Sequence, residues 1–183
     1  MYNLNHELNI SSYVAFVNKI VYNLIMKDDF NPLLLDNQLC FALYVCSKEI
    51  IKLYSPFLDP LGLTYTSYIT LMCLWEKDNI PVKELGKRLF LDSGTLTPLL
   101  KKMEGQGFIE RTRSKEDERT VVITLTPQGR ALREKCVGIP MGLMCYNLMK
   151  AENAGNLLKE LHGLMAKMAQ IEDRAPSVSA KLN

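Results

Sequence analysis

The chain lacks the features of a membrane protein and of a secreted protein. No uninterrupted apolar run approaches the roughly 18 residues that a membrane-spanning helix needs. The apolar stretch 13–25 is broken by Asn18, Lys19 and Asn23, and no basic segment precedes it, so we expect no signal peptide. These absences predict a cytoplasmic protein with no membrane partner.

Cysteine and histidine are too few and too scattered for a structural framework. The five cysteines are odd in number and form no CxxC motif, and the chain has only two histidines, so no zinc site is indicated. We expect thiols rather than disulfides, and neither a metal nor a cofactor. A net charge of +2 identifies no partner, so only the placement of the charges is informative.

Apolar residues recur at spacings of three and four along most of the chain, which predicts a mainly helical protein. A heptad-like seam predicts a long helix over 36–57, ended by Pro56 and Pro60. The next helix is predicted at 66–77, and a turn is predicted at 79–81. The apolar face of this helix is predicted to carry Tyr68, Leu71, Met72 and Trp75. The same periodicity predicts further helices at 11–26 and 82–89, from 95 to Gly105 or Gly107, from 127 onward, and at 152–171.

One region departs from the helical period. The β-rich runs 108–113 and 120–125 flank six polar residues, which predicts a hairpin. Asp92, Ser93 and Thr95 are each able to cap the helix before this hairpin, and the Thr126-Pro127 pair is expected to begin the helix after it. A helix-turn-helix followed at once by a hairpin predicts a winged helix, mainly α with a small β-hairpin wing.

The remaining helices predict a dimerisation region. We expect an N-terminal extension, either helical or disordered, over 1–30 and a single domain over 31–173. Within that domain the dimerisation helices are 31–65 and 127–173, and the winged helix is 66–126. A frayed tail is predicted over 174–183.

Polar and basic side chains on the second helix of the helix-turn-helix and on the hairpin are candidates for binding double-stranded DNA. Hydroxyls near a helix N-terminus and lysines further along can bind phosphates or base edges, and a cationic loop can enter the minor groove. Asp117 is expected to brace Arg119 through an ion pair. The full candidate set is Ser93, Thr95, Thr97, Lys101, Lys102, Arg111, Arg113, Lys115, Asp117 and Arg119.

Three segments carry a resemblance to a known family. The segment LDSGTLTPLLKK at 91–102 resembles the recognition helix of the MarR family, and in particular that of the OhrR-type organic hydroperoxide sensors. The segment DER at 117–119 resembles the wing signature of the wider family, and QLCFALY at 38–44 resembles the start of the first helix in the OhrR branch. The resemblance covers about 36–140 and implies a homodimeric repressor acting on a pseudo-palindromic operator.

The same resemblance assigns roles to thiols and phenols. It implies that Cys40 is the peroxide-reactive thiol and that Tyr54 and Tyr65 hydrogen-bond it across the dimer. Tyr54 lies about 21 Å from Cys40 along a continuous helix, which agrees with an approach from a second copy. Two phenols and the helix N-terminus would favour the thiolate. Cys145 and Cys136 are the candidates for a resolving thiol.

The expected function is repression of transcription, relieved when organic hydroperoxide oxidises Cys40. The main alternative is a regulator of the same fold that responds to a small aromatic ligand. A structural module whose wing binds protein is a further alternative. A thiol peroxidase is disfavoured because the neighbours expected for a turnover thiol are missing, so we expect no enzyme.

Overall fold

The computed structural model describes residue 31 and residues 33–114 and 117–172, and the chain forms two compact units that divide between Lys52 and Leu53. The helix predicted at 11–26, the tail predicted after 173 and the side chain of Lys115 lie outside the described residues. A 3-10 turn at Leu35–Asn37 precedes helix α1, which spans Leu39–Leu58.

Helix α1 includes Pro56 and ends at Leu58, one residue beyond the end predicted at 57. A proline in the last turn removes a single backbone hydrogen bond, so the helix persists for two further residues. A 3-10 turn at Asp59–Leu61 then closes on Gly62, whose φ of 69° suits glycine.

Three helices form the helix-turn-helix unit. Helix α2 spans Tyr65–Glu76, α3 spans Val82–Leu89 and α4 spans Ser93–Gly105. Their inward faces meet in one apolar core, which includes Leu71, Leu85 and Leu100. This arrangement confirms the helices predicted between 66 and 105.

A three-stranded antiparallel sheet forms the wing and its root. Strands β1 (Ile80–Pro81), β2 (Ile109–Arg113) and β3 (Val121–Leu125) lie in the order β1-β3-β2. The predicted hairpin is β2 and β3, with Ile109 opposite Leu125. The turn predicted at 79–81 is wrong in part, because fully buried Ile80 pairs with Ile123 and only Asn79, at a φ of 57°, makes the turn.

Three helices follow the wing. Helix α5 spans Pro127–Cys136, α6 spans Ile139–Met144 and α7 spans Ala151–Glu172. Thr126 caps α5, its hydroxyl accepting a hydrogen bond from the Gly129 amide at 3.0 Å, as the Thr126-Pro127 pair predicted. Helix α6 was not predicted. In the described part of the chain no helix is long and apolar enough to span a membrane.

Candidate nucleic-acid interface and thiol site

The N-terminus of α4 is capped by the side chain of Asp92. The Asp92 carboxylate accepts hydrogen bonds from the Thr95 amide at 3.0 Å and from the Thr95 hydroxyl at 2.9 Å. These two bonds hold the pKa of Asp92 below its ordinary value. Because the Thr95 hydroxyl donates to Asp92, this structure assigns that side chain to helix initiation, and its proton is not directed at a phosphate.

The rest of α4 separates into two faces. Leu96, Leu100 and Met103 are buried in the core, as their spacing predicted. The polar side chains predicted to bind DNA are exposed on the same helix, and they are Ser93, Thr95, Thr97, Lys101 and Lys102. An exposed helix face with hydroxyls at its start and lysines further along suits contact with a phosphate backbone.

Arg111 differs from Arg113 and Arg119 because its side chain is partly buried and forms an ion pair. Its Nε donates to the Glu104 carboxylate of α4 at 2.9 Å. The pair ties β2 to α4, so Arg111 braces the wing against the recognition helix in this structure. Part of its charge is neutralised by Glu104, which leaves it less suited to binding phosphate than the exposed arginines of the wing.

The tip of the wing is ordered by backbone contacts. The Asp117 carboxylate accepts hydrogen bonds from the Arg119 amide at 3.0 Å and from the Thr120 hydroxyl at 2.9 Å, which hold the pKa of Asp117 below its ordinary value. The predicted ion pair between Asp117 and the Arg119 side chain is therefore wrong, since a short acidic side chain reaches the backbone amide two residues on more readily. Arg113 donates to the Glu118 carbonyl at 3.1 Å, and Arg119 is exposed.

A charged clamp at the root of the wing was missed by sequence reasoning. The Asp78 carboxylate accepts from the Leu125 amide at 2.9 Å and from Arg130 Nη1 at 2.5 Å, while Arg130 Nη2 donates to the Leu125 carbonyl at 3.0 Å. Burial raises the pKa of Asp78, but hydrogen bonds from Leu125, Asn79 and Arg130 outweigh burial and hold it below its ordinary value. No local pattern could have joined Asp78 and Arg130, which lie 52 positions apart.

The five cysteines fall into two environments. Cys40, in the first turn of α1, is exposed, as are Cys46 and Cys145, whereas Cys73 and Cys136 are buried. Burial raises the pKa of the Cys136 thiol and of the Cys73 thiol. A buried thiol that stays protonated is a poor partner for exchange, so of the two candidate resolving thiols these environments favour Cys145.

Tyr54 and Tyr65, the two predicted thiol-binding phenols, lie against each other within one chain. Their ring centroids are 4.8 Å apart in an edge-to-face contact, and Tyr54 also lies 5.9 Å from the ring of Tyr68. Burial, followed by the proximity of Tyr65, raises the pKa of Tyr54. Both phenols therefore belong to one aromatic cluster, in which a displacement of either ring changes its contacts with the neighbouring rings.

Sequence reasoning placed Trp75 on the apolar face of α2 but missed its polar contact. Its indole Nε1 donates a hydrogen bond to the Gly129 carbonyl at 3.0 Å, and its ring lies 6.4 Å from that of Tyr68. The apolar spacing of α2 signals that Trp75 and Tyr68 point inward. No local pattern in the sequence indicates the hydrogen bond to Gly129, which lies 54 positions away.

Helices α3 and α4, followed by the hairpin of β2 and β3, define a winged-helix protein. The family model described as "Transcriptional regulator SarA/Rot" matches residues 52–136. The Organic hydroperoxide resistance transcriptional regulator of Bacillus subtilis (strain 168) is 46% identical over 79% of this chain and 99% of its own length. The HTH-type transcriptional regulator SarZ of Staphylococcus aureus (strain Mu50 / ATCC 700699) is 42% identical over 76% of this chain and 95% of its own length.

A solved structure agrees with these relatives. AbfR of Staphylococcus epidermidis superposes with a TM-score of 0.63 at 31% identity, over 74% of this chain and 94% of its own. The chain belongs to the MarR family of winged-helix transcriptional regulators, in the branch of the organic hydroperoxide regulators. It is a regulator and not an enzyme.

Proposed function

We propose that this chain is a homodimeric repressor that binds a pseudo-palindromic DNA operator and is released when organic hydroperoxide oxidises Cys40. The observation that carries the DNA-binding role is the exposed face of α4, where hydroxyls precede two lysines, beside the arginines of the wing. Solved structures of AbfR bound to DNA, in reduced and overoxidised forms, and of a disulfide form support the link between DNA and thiol state.

The DNA contacts divide by position. The major groove and its phosphates are contacted from α4, by Ser93, Thr97, Lys101 and Lys102. The minor groove is contacted from the wing, by Arg113 and Arg119. Two copies related by a two-fold axis place their recognition helices about one helical turn apart on the operator. Both copies must engage together, so a small change in their separation weakens binding.

Exposed apolar side chains on α1 and α7 support the homodimer. Leu39 and Ile50 of α1 and Leu158 and Met165 of α7 are exposed in the single chain, although each pair is spaced so that its two residues share one helix face. A second copy of this chain would cover these faces. In that dimer Tyr54 and Tyr65 of the partner approach Cys40.

The first oxidation step, from thiol to sulfenic acid, requires only Cys40 and the peroxide. The Cys40 thiolate attacks the distal oxygen of the hydroperoxide, the O–O bond breaks, and the corresponding alcohol leaves after taking up a proton. The sulfenic acid that results condenses with a second thiol, releases water and forms a disulfide. Cys145 supplies that thiol, or a small cellular thiol does so, because Cys136 is buried and burial raises the pKa of its thiol.

The test is the affinity of the dimer for DNA from upstream of its own gene, measured by fluorescence anisotropy at fixed salt. Reduced protein, peroxide-treated protein and Cys40→Ser are compared, with Cys46→Ser as the matched control because Cys46 is an exposed thiol of the same helix. Peroxide should weaken binding by at least about tenfold in the wild type and in Cys46→Ser, but not in Cys40→Ser.

An equal response from all proteins would exclude Cys40 as the sensor. If peroxide then left binding intact while a phenolic compound released the DNA, the regulator would respond to an aromatic ligand. A Cys145→Ser variant separates the two routes of disulfide formation. If Cys145 is the resolving thiol, this variant should lose the protein–protein disulfide and retain the initial sulfenic acid.

A further inference from the structure

A row of aromatic rings connects the tyrosine pair to the root of the wing. Tyr65 contacts Tyr54 at 4.8 Å, Tyr54 contacts Tyr68 at 5.9 Å, and Tyr68 contacts Trp75 at 6.4 Å, measured between ring centroids. These separations fall in the range where aromatic rings attract each other in tilted and edge-to-face pairs. Because protein interiors are closely packed, we expect a movement of one ring to disturb the next.

The row ends in a directional bond rather than in another apolar contact. The indole N–H of Trp75 donates to the carbonyl oxygen of Gly129, in the first turn of α5. This bond joins two segments that are far apart in the sequence. A half-buried indole N–H without a partner is unfavourable, so the Trp75 ring and the Gly129 backbone are expected to move together.

The backbone of Gly129 is in turn packed directly against the residue that precedes β2. A Cβ atom at this position would lie 2.0 Å from the Phe108 carbonyl oxygen, so the two backbones are in direct contact immediately before β2. Thr126 strengthens the same joint, since its hydroxyl donates to the Gly107 carbonyl at 2.6 Å and accepts from the Gly129 amide. A shift of the Gly129 backbone must therefore displace the beginning of β2, and with it the wing.

We propose that Trp75 is the positioning residue that transmits the displacement of Tyr54 and Tyr65 to the wing when Cys40 is oxidised. The proposal rests on the proposed function, because it assumes that the two phenols report the state of the thiol. It adds the route by which that state reaches the DNA-binding surface. Tyr68 passes the movement to Trp75, and the bond to Gly129 converts it into a shift of the wing relative to α4.

Trp75 also supplies the first readout, because it is the single tryptophan of the chain. Its emission reports the environment between Tyr68 and Gly129 without any label. Oxidation of Cys40 should shift or quench this emission in the wild type and leave it unchanged in Cys40→Ser. Tyr68→Leu removes the ring that precedes Trp75 in the row, so in this variant oxidation should no longer change the emission.

The decisive variant is Trp75→Phe, which keeps an aromatic ring and removes the indole donor. Its reduced form should bind operator DNA within about threefold of the wild type. Its loss of affinity on oxidation should fall from about tenfold or more to less than about threefold. Mass spectrometry must show that Cys40 is oxidised to the same extent, since Trp75 acts after the chemistry.

Gln106→Met is the matched control. Gln106 Nε2 also donates to a distant backbone carbonyl, that of Gly62 at 2.9 Å, but it lies outside the aromatic row. This variant should keep the full response to peroxide. A full response in Trp75→Phe as well, or a wild-type emission unmoved by oxidation, would overturn the role of Trp75 and leave the proposed function standing. If peroxide does not change the DNA affinity of the wild type, the proposed function itself is contradicted.

If Trp75→Phe fails to fold, as judged by circular dichroism, the emission of wild type and Tyr68→Leu decides the question. An oxidation-dependent emission change that persists in Tyr68→Leu would contradict transmission along the row. A change that is present in the wild type and lost in Tyr68→Leu would support it.

Discussion

The winged helix and helix α7 bury their apolar side chains to very different degrees. In the winged helix Leu71 and Met103 are 0% exposed, whereas Leu158 and Met168 of α7 are 54% and 55% exposed. Both regions carry apolar residues at helical spacing, so the periodicity of the sequence does not distinguish them. The difference lies in what each face meets within one chain.

This contrast separates two sources of stability. The winged helix has a core of its own, built from α2 to α5 and the sheet, and it should fold without help from a second copy. The apolar face of α7 is left uncovered by the single chain, and an isolated helix gains little from propensity alone. We therefore expect substitutions in the two regions to have different consequences, on unfolding in the first and on self-association in the second.

The largest effect is expected in the core of the winged helix. Leu71→Ala should lower the free energy of unfolding by about 3 kcal/mol, because it leaves a cavity at a site with no exposed surface. Urea unfolding followed by circular dichroism measures the loss. The neighbouring Met72, 39% exposed on the same helix, is the control, and Met72→Ala should cost less than about 1 kcal/mol. Equal losses would contradict the burial assigned to α2.

A smaller effect, on association, is expected in α7. Leu158→Glu places a charge on the proposed dimer face and should weaken self-association by at least about tenfold, equivalent to about 1.4 kcal/mol. Sedimentation equilibrium measures this directly. Asn156→Glu introduces the same charge on the opposite side of the helix and should leave association intact. A dimer unaffected by Leu158→Glu would show that another surface joins the two copies.

The smallest effect is expected at the clamp between Asp78 and Arg130. Asp78→Asn should cost about 1 kcal/mol at neutral pH, because it weakens the bond to the guanidinium that holds Leu125. Since the pKa of Asp78 in the folded protein lies below its unfolded value, its stabilisation is present above about pH 4 and is lost as the pH falls through the folded pKa. The difference between wild type and variant should therefore shrink in acid, and a constant difference would count against the clamp.

Much of the fold could be predicted because its signals are local. Asp92 caps α4, Thr126 and Pro127 begin α5, and the change from helical to alternating period marks the wing. The errors occurred where a non-local contact overrode a local preference. Residues 80–81 became a strand because β3 offered backbone partners, and Met72 is exposed because the core lies toward Leu71 and Leu74.

The candidate site divides in the same way. The sequence placed the hydroxyls and lysines of α4 away from its apolar stripe, since helical spacing alone determines which side chains lie on that stripe. It could not show that Arg111 is engaged by Glu104, or that the Asp117 carboxylate binds backbone and hydroxyl groups instead of the Arg119 side chain. These details depend on the angle between the wing and α4, which is a property of the packed core.

The sequence by itself therefore determined the order of the elements, the ends of the main helices and the residues offered to DNA and peroxide. Those features follow from capping, turn chemistry and periodicity over a few residues. Only the tertiary structure decided which thiols are accessible, which charges are already paired, and that Trp75 joins the tyrosine cluster to the wing. Each of these depends on contacts between residues far apart in the chain, which form only when the core brings distant elements together.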